Sequence, residues 1–179
     1  MNPIAKPFVK WAGGKSQILD DIRAKYPAGL GVTITKYAEP FVGGGAVLFD
    51  VLSRYTLDAV YISDINLELI ATYTAIRDNT DTLISFLSEM QSDYWQADEN
   101  TRKTYYYAKR DRFNELKAAQ SDSVEIAALF IFLNRTCFNG LYRVNAKGGY
   151  NVPLAVIKSR LYATPKICNL FPLACNGYK

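Results

Sequence analysis

Three consecutive glycines, an aspartate about 20 residues further on, and an early tryptophan and lysine are the residues whose spacing could do chemistry. Gly43, Gly44 and Gly45 stand between an apolar, strand-like stretch and an apolar run that begins at Ala46. Such a turn lets the backbone approach a ligand closely and presents the free N–H groups and positive end of a helix. Asp64 closes a second apolar stretch, where a carboxylate can accept both hydroxyls of a ribose. The glycines do not follow GxGxxG, and a tight turn with a helix-capping aspartate satisfies the same spacing. Residues 8–15 read FVKWAGGK. GGKS over 13–16 suggests a phosphate loop, but the glycine required five residues before Gly14 is Val9, so that motif fails. Trp11 and Lys15 beside flexible glycines suit a ligand with a cationic sulfonium, an aromatic base and a carboxylate. A buried tryptophan anchoring a terminal segment is the other reading.

The elements that must position these residues follow from the apolar pattern. Residues 35–42 read as a strand, the glycines as a turn, and Ala46, Val47, Leu48, Phe49, Val51 and Leu52 as a buried helix. Residues 59–63 form a second strand ending at Asp64. Asn66 or a neighbour can cap a helix with Leu69, Ile70, Tyr73 and Ile76 at helical spacing. This order is the first half of a doubly wound nucleotide-type fold. From about residue 80 the pattern is helical. Leu83, Phe86, Leu87 and Met90 make one stripe, and Tyr105, Tyr106, Arg110, Phe113 and Leu116 a second. Residues 124–133 are an apolar run broken only by Glu125, and 134–153 turn polar with Asn-Gly and Gly-Gly punctuation expected of turns or a hairpin.

Composition narrows the chemistry. Of 179 residues, 49% are hydrophobic, which allows a packed core. No apolar run approaches ~18 residues and the N-terminus has no signal-peptide pattern, so a cytoplasmic protein is expected. There is no histidine, and Cys137, Cys168 and Cys175 show no CxxC spacing. That argues against a zinc site or a disulfide framework, and it removes the usual base for a serine or cysteine nucleophile. Residues 1–125 carry 14 basic and 17 acidic side chains. Residues 126–179 carry Arg135, Arg143, Lys147, Lys158, Arg160, Lys166 and Lys179 and no acid. An all-positive segment suits a polyanion, with a basic solvated face as the alternative.

Five strings in order make the pattern specific: KWAGGK at 10–15, EPFVGGGAV at 39–47, SDIN at 63–66, FLNRTCFNGLYRVN at 132–145 and GGYNVP at 148–153. The chain thereby resembles Dam-type site-specific DNA adenine-N6 methyltransferases, which use S-adenosylmethionine (AdoMet). The resemblance implies a Rossmann-like α/β methyltransferase fold with a partial sheet and a mostly helical DNA-recognition insertion. It assigns Trp11, Lys15, Phe41, Gly43, Gly45 and Asp64 to the cofactor, and Arg135, Phe138, Asn139, Leu141 and Arg143 to double-stranded DNA. Arginine can read guanine bidentately, asparagine can bond to base edges, and Phe138 and Leu141 can fill a space opened between bases. Alternatively, Phe138 and Leu141 are core residues and Asn139-Gly140 only a turn.

The family's Asp-Pro-Pro-Tyr motif, which accepts the protons of the adenine amine and stacks on the flipped base, has no counterpart: Pro3, Pro7, Pro27, Pro40, Pro153, Pro165 and Pro172 are all isolated. No catalytic residue is therefore assigned. The expected organisation is an AdoMet-binding part at 1–78, a helical target-recognition region at 79–160 and a divergent tail at 161–179. The leading expectation is an incomplete adenine-N6 methyltransferase; analogy offers GATC as a target without fixing it, and host, phage and restriction-modification settings all stay open. The alternatives are a catalytically inactive DNA/AdoMet-binding fragment, or one part of a split enzyme with a complementing chain. A methyltransferase acting on RNA or a small molecule fits the acid-free segment less well. An incomplete parallel sheet would leave an apolar face and open edges, so the isolated chain is expected to be marginally stable.

Overall fold

The computed structural model describes residues 6–155. Lys158, Arg160, Lys166, Lys179, Cys168, Cys175 and the expected 161–179 tail lie outside these residues. The described residues form a mixed α/β structure with a parallel two-stranded sheet and six α-helices. β1 (Lys36–Pro40) pairs with β2 (Ala59–Ser63), Lys36 opposite Ala59 and Pro40 opposite Ser63. Parallel strands need a crossover, which here contains α2 (Ala46–Arg54), burying Val47, Leu48, Phe49 and Val51. The backbone N–H of Val42 donates to the Ser63 carbonyl at 3.0 Å, carrying the pairing one step past β1 into the glycine turn.

The helical boundaries follow local capping. Asn66 accepts from the Leu69 N–H at 2.7 Å and opens α3 (Leu67–Asp78). Asp98 accepts from the Thr101 N–H at 3.0 Å and opens α5 (Glu99–Ala118), after α4 (Thr80–Gln96). α6 (Val124–Thr136) is apolar on every side, with Ile126, Leu129, Phe130, Ile131 and Leu133 all buried. A helix without a polar face has to be enclosed, and α3, α4 and α5 all pack on it. The expected boundary at 78/79 is therefore crossed by packing. One core runs from Phe8 through α2, α3 and α6 to Val152. After α6, antiparallel bridges pair Cys137 with Leu154 and Val144 with Tyr150, forming the expected hairpin.

A 3₁₀ turn at Lys15–Ile18 and α1 (Leu19–Arg23) were not anticipated from the apolar pattern. They are held by a polar contact. The carboxylate of Asp50 on α2, 6% exposed, accepts from Arg23 Nη2 at 2.6 Å, Arg54 Nε at 3.0 Å and the Tyr26 hydroxyl at 3.1 Å. Burial alone would raise the Asp50 pKa, but the hydrogen bonds from Arg23, Arg54 and Tyr26 outweigh it and hold the group below its ordinary value. Burial and the Asp50 contact push the Tyr26 hydroxyl up to about 12. The depressed carboxyl contributes stability above its ordinary pKa and loses it as pH falls through the folded-state value. We predict that Asp50→Asn, which turns an amide donor toward these donors, costs about 2 kcal/mol of stability at neutral pH. In chemical denaturation the gap between variant and parent should close progressively as the pH is lowered.

Candidate functional site

The segment after β1 is conformationally unusual. Phe41, Gly43 and Gly45 have φ of +62°, +53° and +78°, so three of five consecutive residues are left-handed. For Phe41 this is costly, and such strain persists where the surroundings impose it, often at ligand sites. Its ring is 73% exposed. Gly43 shows what the glycine is for: a Cβ there would lie 2.8 Å from Cδ1 of Trp11. The indole occupies the space a side chain would need.

The turn is fastened from three directions. Asp64 Oδ2 accepts from the Gly43 N–H at 2.9 Å and its Oδ1 from the Asn66 N–H at 3.0 Å. The Tyr73 hydroxyl on α3 donates to the Gly43 carbonyl at 3.0 Å. Lys15 donates to the Phe41 carbonyl at 3.2 Å and lies 3.6 Å from Glu39 Oε1. Glu39 is buried on β1 and accepts from the Tyr37 hydroxyl at 2.9 Å. Burial raises its pKa above the ordinary value, opposed by Tyr37, Lys15 and the Leu48 N–H.

These residues enclose a cavity of about 710 Å³. Its lining includes Trp11, Lys15, Phe41, Gly43, Gly45 and Asp64, so the six residues assigned to a cofactor from sequence come together at one place. The size is that of a small-molecule site, and aromatic surface, a cation and a carboxylate converge on it. Each Asp64 oxygen retains acceptor capacity beyond the loop N–H it already holds. Among the described residues no His, Cys, Asp and Glu cluster could hold a metal.

The second group of residues is only partly brought together. Phe138 is 52% and Leu141 37% exposed, so neither is a core residue. Between them Asn139 and Gly140 take φ of +54° and +65°, a tight turn that pushes both apolar side chains outward. Exposed Arg143 donates to Asn151 Oδ1 at 2.8 Å and to its carbonyl at 3.2 Å, bracing the hairpin. Arg135 points elsewhere: Nε donates to the Phe8 carbonyl at 2.8 Å and Nη2 to that of Pro7 at 3.5 Å. The structure thus has it holding the N-terminal segment.

Sequence reasoning missed the residue that joins the two groups. Asn134, near the end of α6 and 4% exposed, accepts from the Lys10 N–H at 2.8 Å. It donates to the Lys10 carbonyl at 2.9 Å and the Gly140 carbonyl at 2.8 Å. A Cβ at Gly140 would lie 2.7 Å from Cβ of Lys10, so glycine allows the turn to sit against this segment. No spacing rule connects residues 10 and 134. The only signal was that both fall inside motif strings.

Residues 11–174 match the family model described as D12 class N6 adenine-specific DNA methyltransferase. The chain is 50% identical over 163 residues to the Type II methyltransferase M.MjaIII of Methanocaldococcus jannaschii, covering 90% of this chain and 54% of that protein. It is 37% identical over 158 residues to the DNA adenine methylase of Haemophilus influenzae, covering 88% and 49% respectively. Against the DNA adenine methylase of Escherichia coli K12 identity is 33% over 174 residues, 97% and 56% of the two chains. The chain spans about half the length of these curated relatives. With the match extending over most of its length, the chain belongs to the D12 class N6 adenine-specific DNA methyltransferase family.

Proposed function

We propose that this chain provides the AdoMet-binding and DNA-recognition parts of a site-specific DNA adenine-N6 methyltransferase. The observation that carries this reading is the convergence of Trp11, Lys15, Phe41 and Asp64 on one cavity, in a chain of this family. Residues 1–78 would form the cofactor part of a Rossmann-like sheet and 79–160 the recognition part. The parallel β1–β2 pair with the glycine turn at the end of β1 supports that fold assignment.

AdoMet would supply a methyl group made electrophilic by its sulfonium. Asp64 would accept the ribose hydroxyls, and Trp11 and Phe41 would give apolar and π surface to the base and the sulfonium. Lys15 would exchange its Glu39 contact for the carboxylate of the methionine moiety. On the outer face, Phe138 and Leu141 would enter the space beside a displaced adenine while Arg143 and Asn139 contact the duplex. Adenine N6 is a poor nucleophile whose lone pair is delocalised into the ring, so methyl transfer also needs an acceptor for its proton. The sequence holds no Pro-Pro pair and so no Asp-Pro-Pro-Tyr string. We propose that the present residues supply binding and orientation and that the proton acceptor is not among them.

Titration calorimetry with S-adenosylhomocysteine tests the cofactor site: the unaltered chain should bind and Asp64→Ala should weaken binding about tenfold or more. Absence of binding by the unaltered chain overturns the assignment. Circular dichroism should confirm that the variant folds, since Asp64 also holds two loop N–H groups.

Fluorescence anisotropy with a short duplex tests the recognition turn. Arg143→Ala should weaken binding and lower the slope of log affinity against log salt by about 1. Phe138→Ala should weaken binding with the slope unchanged, because it removes apolar contact and not charge. Equal salt slopes in all three proteins would remove Arg143 from the phosphate-contacting set. Transfer of labelled methyl groups to DNA by this chain alone would overturn the division of binding from proton transfer.

A further inference from the structure

We infer that Tyr142 couples the cofactor cavity to the recognition turn, so that AdoMet and duplex DNA each change the other's affinity. Both halves of this coupling rest on the cofactor and DNA roles proposed above.

Tyr142 stands between Leu141 and Arg143, yet its half-buried ring packs toward the cavity wall. Its centroid lies 5.8 Å from that of Trp11 and 5.7 Å from those of Phe130 and Tyr150. Trp11 lines the cavity and fills the space above Gly43. The Tyr142 hydroxyl donates to Glu68 Oε2 at 2.9 Å and accepts from Lys117 Nζ at 3.2 Å. Lys117 in turn pairs with Glu68 Oε1. Glu68 is buried in the first turn of α3, directly after the corner built by Asp64 and Asn66. One side chain of the recognition segment therefore reaches both sides of the cavity, Trp11 through its ring and the Asp64 corner through Glu68.

Neither Tyr142 nor Glu68 lines the cavity itself, so Tyr142 is a positioning residue. Asn134 adds a second tie at backbone level, between Lys10 and Gly140. Close-packed contacts pass displacement on instead of absorbing it. A duplex that shifts residues 138–143 must therefore shift Trp11 or break its stack with Tyr142. Linkage then requires equal factors in both directions.

The test is a thermodynamic square using S-adenosylhomocysteine and a short duplex. For the unaltered chain, each ligand should change the dissociation constant of the other by the same factor, about fivefold or more. Tyr142→Phe keeps the ring and loses the hydroxyl, and should reduce that factor. Tyr142→Ala should bring it close to one. A Trp95→Phe background leaves Trp11 as the sole indole, since the chain has two tryptophans. Its emission should shift on adding DNA, and the shift should vanish with Tyr142→Ala. The proposal is overturned if both ligands bind and the factor is one, or if it is unaltered in Tyr142→Ala. Should Tyr142→Ala fail to fold, an unreduced factor in Tyr142→Phe overturns it. An unaltered chain that binds neither ligand removes the functional reading, and the coupling falls with it.

Discussion

The constraint on which this structure depends is the enclosure of α6. A helix with Ile126, Leu129, Phe130, Ile131 and Leu133 on successive faces has no side it can offer to water. Full burial of each such side chain contributes about 1.5–3 kcal/mol, so the surrounding helices are held by the need to cover it. α3 arrives from the sheet side and α4 and α5 from the helical side. The same constraint decides where the polar chemistry can go. Beyond Glu125 in the first turn, polar side chains appear only at the C-terminal end of α6, and Asn134 and Arg135 there grip the N-terminal segment by its backbone. That grip brings Trp11 to the glycine turn.

The cavity is organised by contacts within the chain itself. Asp64 holds Gly43 and Asn66 by their N–H groups, Tyr73 holds the Gly43 carbonyl, and Trp11 closes over the missing Cβ. A loop fixed in this way needs little ordering on binding, which is where affinity is commonly lost. Phe41 is the non-glycine residue of this loop kept left-handed, and it lines the cavity. Lys15 differs in kind. Its ammonium is more exposed than the buried carboxylate it faces and also donates to the Phe41 carbonyl, so it braces the loop from the solvent side.

Local signals made much of this legible. The strand, glycine turn, helix, strand and acid succession follows from apolar periodicity and glycine, and Asn66 capped α3 as its type suggests. The cavity residues were identifiable because each lies inside a short motif with its own chemical reason. What could not be read depends on partners far apart in the chain. Asn134 meets Lys10 across 124 positions, and Glu68 meets Tyr142 across 74. α1 is too short for periodicity to show and is held by Asp50, whose importance lies in three partners and not in its position. Arg135 adds a contact of the same long-range kind, its guanidinium donating to the Phe8 carbonyl 127 positions away.

Binding and chemistry need not reside in the same residues, and the packing indicates how they divide. The cavity and the 138–143 turn are built on one core, so their relative placement is set by these residues. Orientation is a large part of catalysis, because holding reactants in an attack geometry replaces a bimolecular encounter. It does not remove the need to take a proton from the amine. The described residues offer two buried carboxylates near the cavity turn, and both are committed. Glu39 is held by Tyr37 and Lys15, and Glu68 by Lys117 and Tyr142. A group bound from several sides makes a firm scaffold and a poor base. Among the described residues neither buried carboxylate is left over to act as a proton acceptor.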